Sequence, residues 1–517
     1  MANHQPSIFN DVIGPVMRGP SSSHSAAALR IGRICRDLMD GDPGMVVVRY
    51  DRNDALATTH ESQGSDMGMK GGLMGFDPDD LRLLNPDEHL KASGIDIAFE
   101  LTDTGNSLSN LYLVQLKNQK EEIQVIAIST GGGMVELIEI DGNPVSIKGD
   151  YYEVLIYSED QHFFQTLKDT ENWVEKAILH DKSESFIQLK ANRPPDAAWI
   201  REMMENSSVR FIRSVSPVLP VLSRNNIQAP FSTYEHMMQY NEKKQLSAWE
   251  LAIHYETIRG NITREEVLNR MERLYEVMRN AVVTGLKGTS YKDRIFGAQS
   301  GSYLKSMQDG RLSGGEALHN ITMYVSATME VKSSMGTIVA APTAGSCGTF
   351  PGAVLGVADA HGLNEKEIVR SLLAGSLVGL FIASGSTFSA EIGGCQAECG
   401  SAAGMAAASI VYLLGGDLQQ SISAASMALQ NSLGMICDPI AARVEAPCLG
   451  KNISSAVNAL ACANLAIAGY DHLIPLNEVI ATMDVVGRSL PKELRCTALG
   501  GLSKTPAAIK LEKKLRK

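Results

Sequence analysis

The chain has 517 residues, room for two to four domains at roughly 100 to 200 residues each. Hydrophobic residues make up 44% and charged residues 20%, a balance that excludes a mainly disordered chain. The net charge of -11 and pI near 5.6 argue against a nucleic-acid or anionic-membrane surface, which needs clustered Lys and Arg, and leave a small molecule as the expected partner.

Met1 to Asn10 lacks the apolar run of a secretory signal, and Ser371 to Ala383, the longest strongly apolar stretch, is short for a bilayer core of about 30 Å. A cytoplasmic protein without a membrane partner is expected. Ser25 to Leu38 predicts a helix, with Leu29, Ile31, Ile34 and Leu38 set among arginines. Met45 to Tyr50, Asp96 to Leu101, Leu111 to Leu116, Ile123 to Ile128 and Met134 to Ile140 predict strands, so the first 149 residues read as an α/β (α+β) domain. From 150 to 222 the pattern strand, helix, two strands, helix, strand fits a small ferredoxin-like (ACT-like) unit.

After Pro230 helix follows helix, and 223–517 reads as one all-α domain. Ser247-Ala-Trp-Glu250 and Thr263-Arg-Glu-Glu266 are capping boxes; Gly285 is the expected stop of the second helix. Asn364 opens a further helix, and Leu418, Ile422, Ala425 and Leu429 mark another. Ala383 to Ser409 is dominated by Gly, Ala and Ser, which permits close packing or leaves room for a cofactor.

Seven of the eight cysteines fall between Cys347 and Cys496. Without a signal sequence they are expected as thiols or metal ligands rather than disulfides. Cys347, Cys395, Cys437 and Cys448 sit beside Gly or Pro, which form turns able to aim sulfurs at one point, although their spacing matches no short ferredoxin or zinc pattern. Soft-metal ligands and buried structural thiols both remain open. Near the other end, Gly19-Pro-Ser-Ser-Ser-His24-Ser25 leads into the first helix. Its hydroxyls and amides make an anion pocket with His24 as a proton carrier, or simply cap the helix. The turn Gly64-Ser65-Asp66, with His60 nearby, is a further candidate.

Taken together, Gly14-Pro-Val-Met, Gly19-Pro-Ser-Ser-Ser-His24, Ala341-Pro-Thr-Ala-Gly345, Gly393-Gly-Cys-Gln-Ala-Glu398, Cys437-Asp-Pro439, Pro447-Cys448 and Gly500-Gly-Leu502 resemble the iron-sulfur-dependent L-serine dehydratases (L-serine ammonia-lyases). The match runs through both ends, like a β-type domain (1–149) and an α-type catalytic domain (223–517) joined across the ACT-like segment (150–222). The resemblance implies a lyase of amino-acid degradation and gluconeogenesis that converts L-serine to pyruvate and ammonium. It implies a [4Fe-4S] cluster held by Cys395, Cys437 and Cys448 with one iron open to substrate, and it makes Cys347 and Cys399 neighbours only. His24, Ser22, Ser23 and Ser389 become the catalytic candidates, and Ser21, Ser25, Gly64, Ser65, Asp66 and Asn452 the substrate-binding ones. A homodimer is the expected assembly.

Serine elimination needs a Lewis acid on the β-hydroxyl and a base for the α-proton acting together. Gln63 stands where the family carries a histidine, and Gly385-Ser-Thr-Phe-Ser389 keeps only its last serine in common with the family's segment. These departures keep open another β-substituted amino acid (threonine, a hydroxyaspartate or cysteine) as substrate. A pyridoxal-phosphate dehydratase would need a Schiff-base lysine, and from Gly348 to Gly450 the chain offers Lys366 alone. A cluster-free amino-acid sensor is the non-enzymatic alternative. The chain ends Leu515-Arg516-Lys517, so the terminal cysteine that covers the cluster in some relatives is not expected.

Overall fold

The computed structural model describes residues 5–106, 108–170, 173–225 and 227–515. The start of the Met1 to Asn10 stretch and the expectation at Arg516 and Lys517 fall outside them. The N-terminal part runs β1 (Val16–Arg18), α1 (Ala27–Leu38), β2 (Met45–Asp51), α2 (Leu56–Thr59), α3 (Ser65–Leu73), α4 (Pro86–Ala92), β3 (Asp96–Thr102), β4 (Leu111–Lys117), β5 (Glu122–Gly131), β6 (Met134–Ile140) and β7 (Asn143–Ile147). Strands β2 to β7 form one sheet in the order β3-β2-β4-β5-β6-β7, in which β2 and β3 are parallel and the other pairs antiparallel.

Alternation creates the core: Val46, Val48 and Tyr50 on β2 and Val114 and Leu116 on β4 are buried, and they meet Ile31, Ile34 and Leu38 of α1 and Met69 and Leu73 of α3. Helix α3 lies hard against α1. A Cβ on Gly68 or Gly72 would overlap the carbonyls of Ser25 and Leu29, so only glycine permits this approach.

Next come β8 (Tyr152–Tyr157), α5 (Gln161–Thr170), β9 (Lys176–His180), β10 (Phe186–Ala191), α6 (Ala197–Glu205) and β11 (Phe211–Val215). Their antiparallel sheet has the order β11-β8-β10-β9. One face, with Val154, Ile156, Ile187 and Leu189, packs on Phe164 and Leu167 of α5 and Met203 of α6. The other, with Leu155, Tyr157, Phe186 and Val215, joins the core around α1.

The C-terminal part is helical: α7 (Tyr234–Asn241), α8 (Ala248–Gly260), α9 (Arg264–Lys287), α10 (Ser300–Gln308), α11 (Glu316–Ser333), the short β12 (Thr337–Val339), α12 (Thr349–Ala360), α13 (Glu365–Gly385), α14 (Ala390–Gly393), α15 (Ser401–Leu413), α16 (Leu418–Gln430), α17 (Cys448–Ile467), α18 (Leu476–Ser489) and α19 (Pro506–Leu515). The capping boxes at Ser247 and Thr263 form as expected, and Asn364 opens α13 through a further one. Gly285 does not end α9, which continues to Lys287; an added Cβ there would overlap the Ala327 carbonyl, so this glycine serves the contact between α9 and α11. Helix α13 is long and apolar enough to cross a membrane, but 78% of that apolar window is buried inside the helical body.

The first residues belong by packing to this helical body. Ile8, Phe9, Val12, Ile13 and Met17 lie in its core. Glu256 on α8 accepts from Ser7 Oγ (2.5 Å) and from the Ile8 amide (2.8 Å), and β1 pairs antiparallel with β12. This stitching carries the serine loop onto the helical domain.

Candidate active site

The serine loop is an irregular turn, Ser22–Ala26, that feeds α1. His24 is fully buried. Its Nδ1 lies 3.0 Å from Ser21 Oγ and 3.3 Å from Ser23 Oγ, and its Nε2 is 2.9 Å from Thr59 Oγ1 at the end of α2. Ser22 Oγ accepts from the Ala344 amide at 3.1 Å, and Ser25 Oγ donates to the Ser21 carbonyl at 2.7 Å. All four hydroxyls of the loop are therefore engaged with protein.

A carboxylate that sequence reasoning missed organises the loop. Glu391, buried on α14, accepts from Ser23 Oγ (2.9 Å) and from Ser389 Oγ (2.6 Å), and stands 3.6 Å from His24 Nδ1. Burial lowers the His24 pKa below its ordinary value although Glu391 opposes the shift, so the ring is held neutral. Ser389 meets the N-terminal sheet at Gly131, where φ is +104° and a Cβ would come within 3.0 Å of the serine side chain.

Cys395 follows α14, Cys437 lies in the loop after α16 and Cys448 opens α17. All three are at most 5% exposed. Cys395, Cys437 and Cys496 pack together with Ala390 in one small cluster. The Sγ atoms of Cys395 and Cys437 and a carboxylate oxygen of Glu398 lie within 4.8 Å of one another, whereas Cys448 falls outside this tight group. Cys395 still acts electrostatically on Cys448 and on buried Cys399, and both thiols are raised, first by burial and then by neighbouring sulfur. Cys437 is raised above all by its hydrogen bonds to Cys395 and Cys496. Every described cysteine is a free thiol.

Crowded, buried sulfurs are a donor set that a soft metal centre completes, because the ion holds them as thiolates. The residues present therefore fit an iron-sulfur cluster. Lys451, one turn into α17 from Cys448, reaches Cys395 Sγ at 3.8 Å, Asp438 Oδ1 at 2.7 Å and the Ile436 carbonyl at 2.6 Å, tying the three cysteine segments together. Glu398 accepts from Thr343 Oγ1 at 2.7 Å, and burial followed by Glu391 pushes its carboxyl up to about 7. Through Thr343, Ala344 and Ser22 the sulfur pocket and the serine loop share one wall.

The remaining candidates occupy distinct places. Asn452 sits behind the sulfurs, its amide engaged with the Thr349 amide (3.0 Å), the Gly345 carbonyl (2.8 Å) and the Cys448 carbonyl (2.9 Å). Gly64, at φ +92°, presses on Ser25 and Pro20. Ser65 Oγ is 3.1 Å from Tyr112 Oη, and Asp66 pairs with His60 Nδ1 at 2.9 Å and accepts from Tyr50 at 3.1 Å. Gly64, Asp66 and His60 line a cleft of about 1060 Å³ between the N-terminal and helical parts, with Glu445 and Thr497 on its helical side. Gln63 is fully buried, directs Nε2 at Cys496 Sγ (3.8 Å) and leaves Oε1 without a partner. Cys347 stands apart, its thiol 3.8 Å from Met329 Sδ.

Sequence reasoning missed Glu391, Glu398, Lys451 and Cys496. Two of them carried a signal: Glu398 closes the Gly-Gly-Cys-Gln-Ala-Glu motif, and Lys451 lies three residues after a candidate ligand, on the same helix face.

The chain is similar to known proteins along most of its length. Residues 241–503 match the family model described as serine dehydratase alpha chain. The probable L-serine dehydratase alpha chain of Bacillus subtilis is 36% identical over 285 residues, 55% of this chain and 95% of the relative. The L-serine dehydratase alpha chain of Peptoniphilus asaccharolyticus is 35% identical over 285 residues, 54% of this chain and 97% of the relative. Over the N-terminal region the probable L-serine dehydratase beta chain of Bacillus subtilis is 35% identical across 174 residues, 34% of this chain and 77% of the relative. With β-chain-like and α-chain-like parts in a single polypeptide, the chain belongs to the L-serine dehydratase family.

Proposed function

We propose that the protein is a [4Fe-4S]-dependent L-serine ammonia-lyase that releases pyruvate and ammonium. The observation that carries this reading is the buried sulfur pocket of Cys395 and Cys437, with Cys448 near enough to feel the Cys395 charge, sharing a wall with the His24–Glu391 serine loop. Cys395, Cys437 and Cys448 would hold the cluster, which when bound supplies a Lewis acid for the β-hydroxyl.

The chain's own residues then have defined tasks. His24, kept neutral by burial, is able to take a proton, and Glu391 at 3.6 Å stabilises the imidazolium that results. Ser23 bridges His24 and Glu391 and gives the proton a path between them. Ser21 and Thr59 fix the ring from both sides, which keeps its geometry constant through the reaction. Ser389 orients the far oxygen of Glu391. Gly64 and Asp66 shape the approach from the cleft. Loss of water from serine leaves an enamine, which tautomerises to the imine and is hydrolysed to pyruvate.

Residues 1–149, 150–222 and 223–517 are our domain division, with Ile8, Phe9, Val12, Ile13 and Met17 packed into the third. The βαββαβ order and the antiparallel β11-β8-β10-β9 sheet support reading 150–222 as ferredoxin-like. A second reading, the same chemistry on another β-substituted amino acid, is favoured by Gln63, whose Nε2 points at Cys496 Sγ and whose buried Oε1 has no partner among the described residues. Turnover of serine, threonine, hydroxyaspartate and cysteine by anaerobically purified protein decides between them. Serine is expected to be fastest, and serine as the slowest substrate would overturn the first reading.

A further inference from the structure

A smaller cavity, of about 220 Å³, opens between the N-terminal sheet and the segment after α18. It is lined by Asp51, Asp54, Glu391, Lys492, Arg495 and Thr497, among others. We infer that this cavity seats the charged end of the amino-acid substrate, with Arg495 as the anchor of the α-carboxylate and Asp54 beside Glu391 as the seat of the α-ammonium group. The inference rests on the proposal that the substrate is an amino acid, and it adds residues and a recognition chemistry that the family assignment does not contain.

Arg495 lies in a rigid stretch of backbone. The Cys437 amide donates to the Leu494 carbonyl (2.8 Å) and the Cys496 amide returns to the Cys437 carbonyl (3.0 Å), so the main chain on both sides of Arg495 is tied to a candidate cluster ligand. Its side chain is half-buried, yet among the described residues its guanidinium has no anion. Among those residues Nη1 reaches only the Ile392 carbonyl, at 3.5 Å, and buried Nε has no partner. Among the described residues no carboxylate lies within 4.0 Å of it, whereas half-buried Arg279 and Arg443 are paired, with Asp359 at 2.7 Å and with Asp293 at 2.6 Å. Removing a guanidinium from water without a counterion is costly, and its planar fork matches a carboxylate with two parallel hydrogen bonds.

The acidic groups of the same cavity are unequally committed. Asp51 is engaged by the Asn53 amide (2.7 Å), the Thr104 amide (3.0 Å) and the Thr104 hydroxyl. Asp54 accepts from the Asn110 amide at 2.5 Å, and burial followed by repulsion from Glu391 outweighs its backbone hydrogen bonds and the pull of Lys492 to raise its carboxyl above the ordinary range. That is the condition of a carboxylate short of a cation. An uncompensated guanidinium and the carboxylates of Asp54 and Glu391 in one small space match a zwitterion. The volume lies below the roughly 300 Å³ where pockets for drug-sized ligands begin, which suits a small amino acid. Glu391 belongs both to this cavity and to the His24 loop, so an amino acid seated here lies at the proton-transfer groups.

The test compares L-serine with L-serinamide, which keeps the ammonium and hydroxyl groups and lacks the carboxylate charge. Binding to the anaerobically purified full chain is measured by calorimetry, and KM and kcat for serine are measured beside it. Arg495→Gln is expected to weaken serine binding and raise KM roughly 10- to 100-fold, as for a lost charge-assisted contact, while serinamide binding stays the same. Arg495→Lys is expected to fall between wild type and Arg495→Gln. Because the serine-to-serinamide ratio is read within each variant, partial loss of folded protein does not mimic the effect. An unchanged ratio in Arg495→Gln would overturn the inference. If instead the ratio collapses while the wild-type protein turns over no serine, the carboxylate anchor stands and the proposed lyase reaction is what fails.

Discussion

Glu391 carries more of the proposed chemistry than any other single residue, since it joins Ser23, Ser389 and His24 in a buried setting. Glu391→Gln keeps the shape and removes the charge, and should lower kcat by roughly 10²- to 10⁴-fold, the range for lost general acid–base catalysis, with little change in the melting temperature. His24 sets a sign for the pH dependence. Its folded-state pKa is depressed below 6.5 by burial, so the unfolded chain binds a proton that the native ring refuses. Its contribution to stability is therefore full above pH 6.5 and is lost as the pH falls through the window below it. Activity should likewise keep its neutral-imidazole form to below pH 6.5, and urea midpoints and initial rates from pH 5 to 8 test both. Glu391 was not legible in the sequence because Ser23, which gives it meaning, is 368 residues away. The cysteines and the Ser-Ser-His turn stood out as candidates because glycine, proline and repeated hydroxyls mark local geometry, while the choice of Cys395, Cys437 and Cys448 came from the family resemblance and not from their spacing.

Among the elements, the approach of α3 to α1 fixes the serine loop. Gly68 faces the Ser25 carbonyl, so Gly68→Ala forces the loop and α3 apart; a cost of about 1–3 kcal/mol is expected for overpacking, with a fall in kcat that a surface mutation of equal cost would not cause. Helix α8 supplies the second clamp through Glu256, which is buried and accepts from Ser7 and Ile8. Glu256→Ala leaves these donors unsatisfied and should cost about 2–4 kcal/mol by chemical denaturation, in line with one or two lost buried contacts to a charged group. Element types were readable where a period dominates: β2 alternates as Val46, Val48 and Tyr50 demand, and α9 begins at its capping box. Gly285 misled because a glycine that stops a helix and a glycine that admits a neighbouring helix look alike until Ala327 is placed against it.

For the molecule as a whole, the N-terminal segment belongs to one part by sequence and to another by packing. Ile8, Phe9, Val12 and Ile13 fill the helical core, and nothing local in the first 20 residues announces partners more than 200 residues away. A chain cut between Leu222 and Ser223 should therefore yield halves that copurify when coexpressed, while the C-terminal half alone, with that core open, aggregates. Copurification and size exclusion measure this. The central claim, that buried sulfurs beside the His24–Glu391 loop hold an iron-sulfur centre for amino-acid elimination, is tested most directly by iron and acid-labile sulfide content, with the visible spectrum, on protein purified without oxygen. The account predicts about four of each per chain, as a [4Fe-4S] centre requires, and loss of both in Cys395→Ala. Protein that holds no iron after anaerobic reconstitution would contradict it.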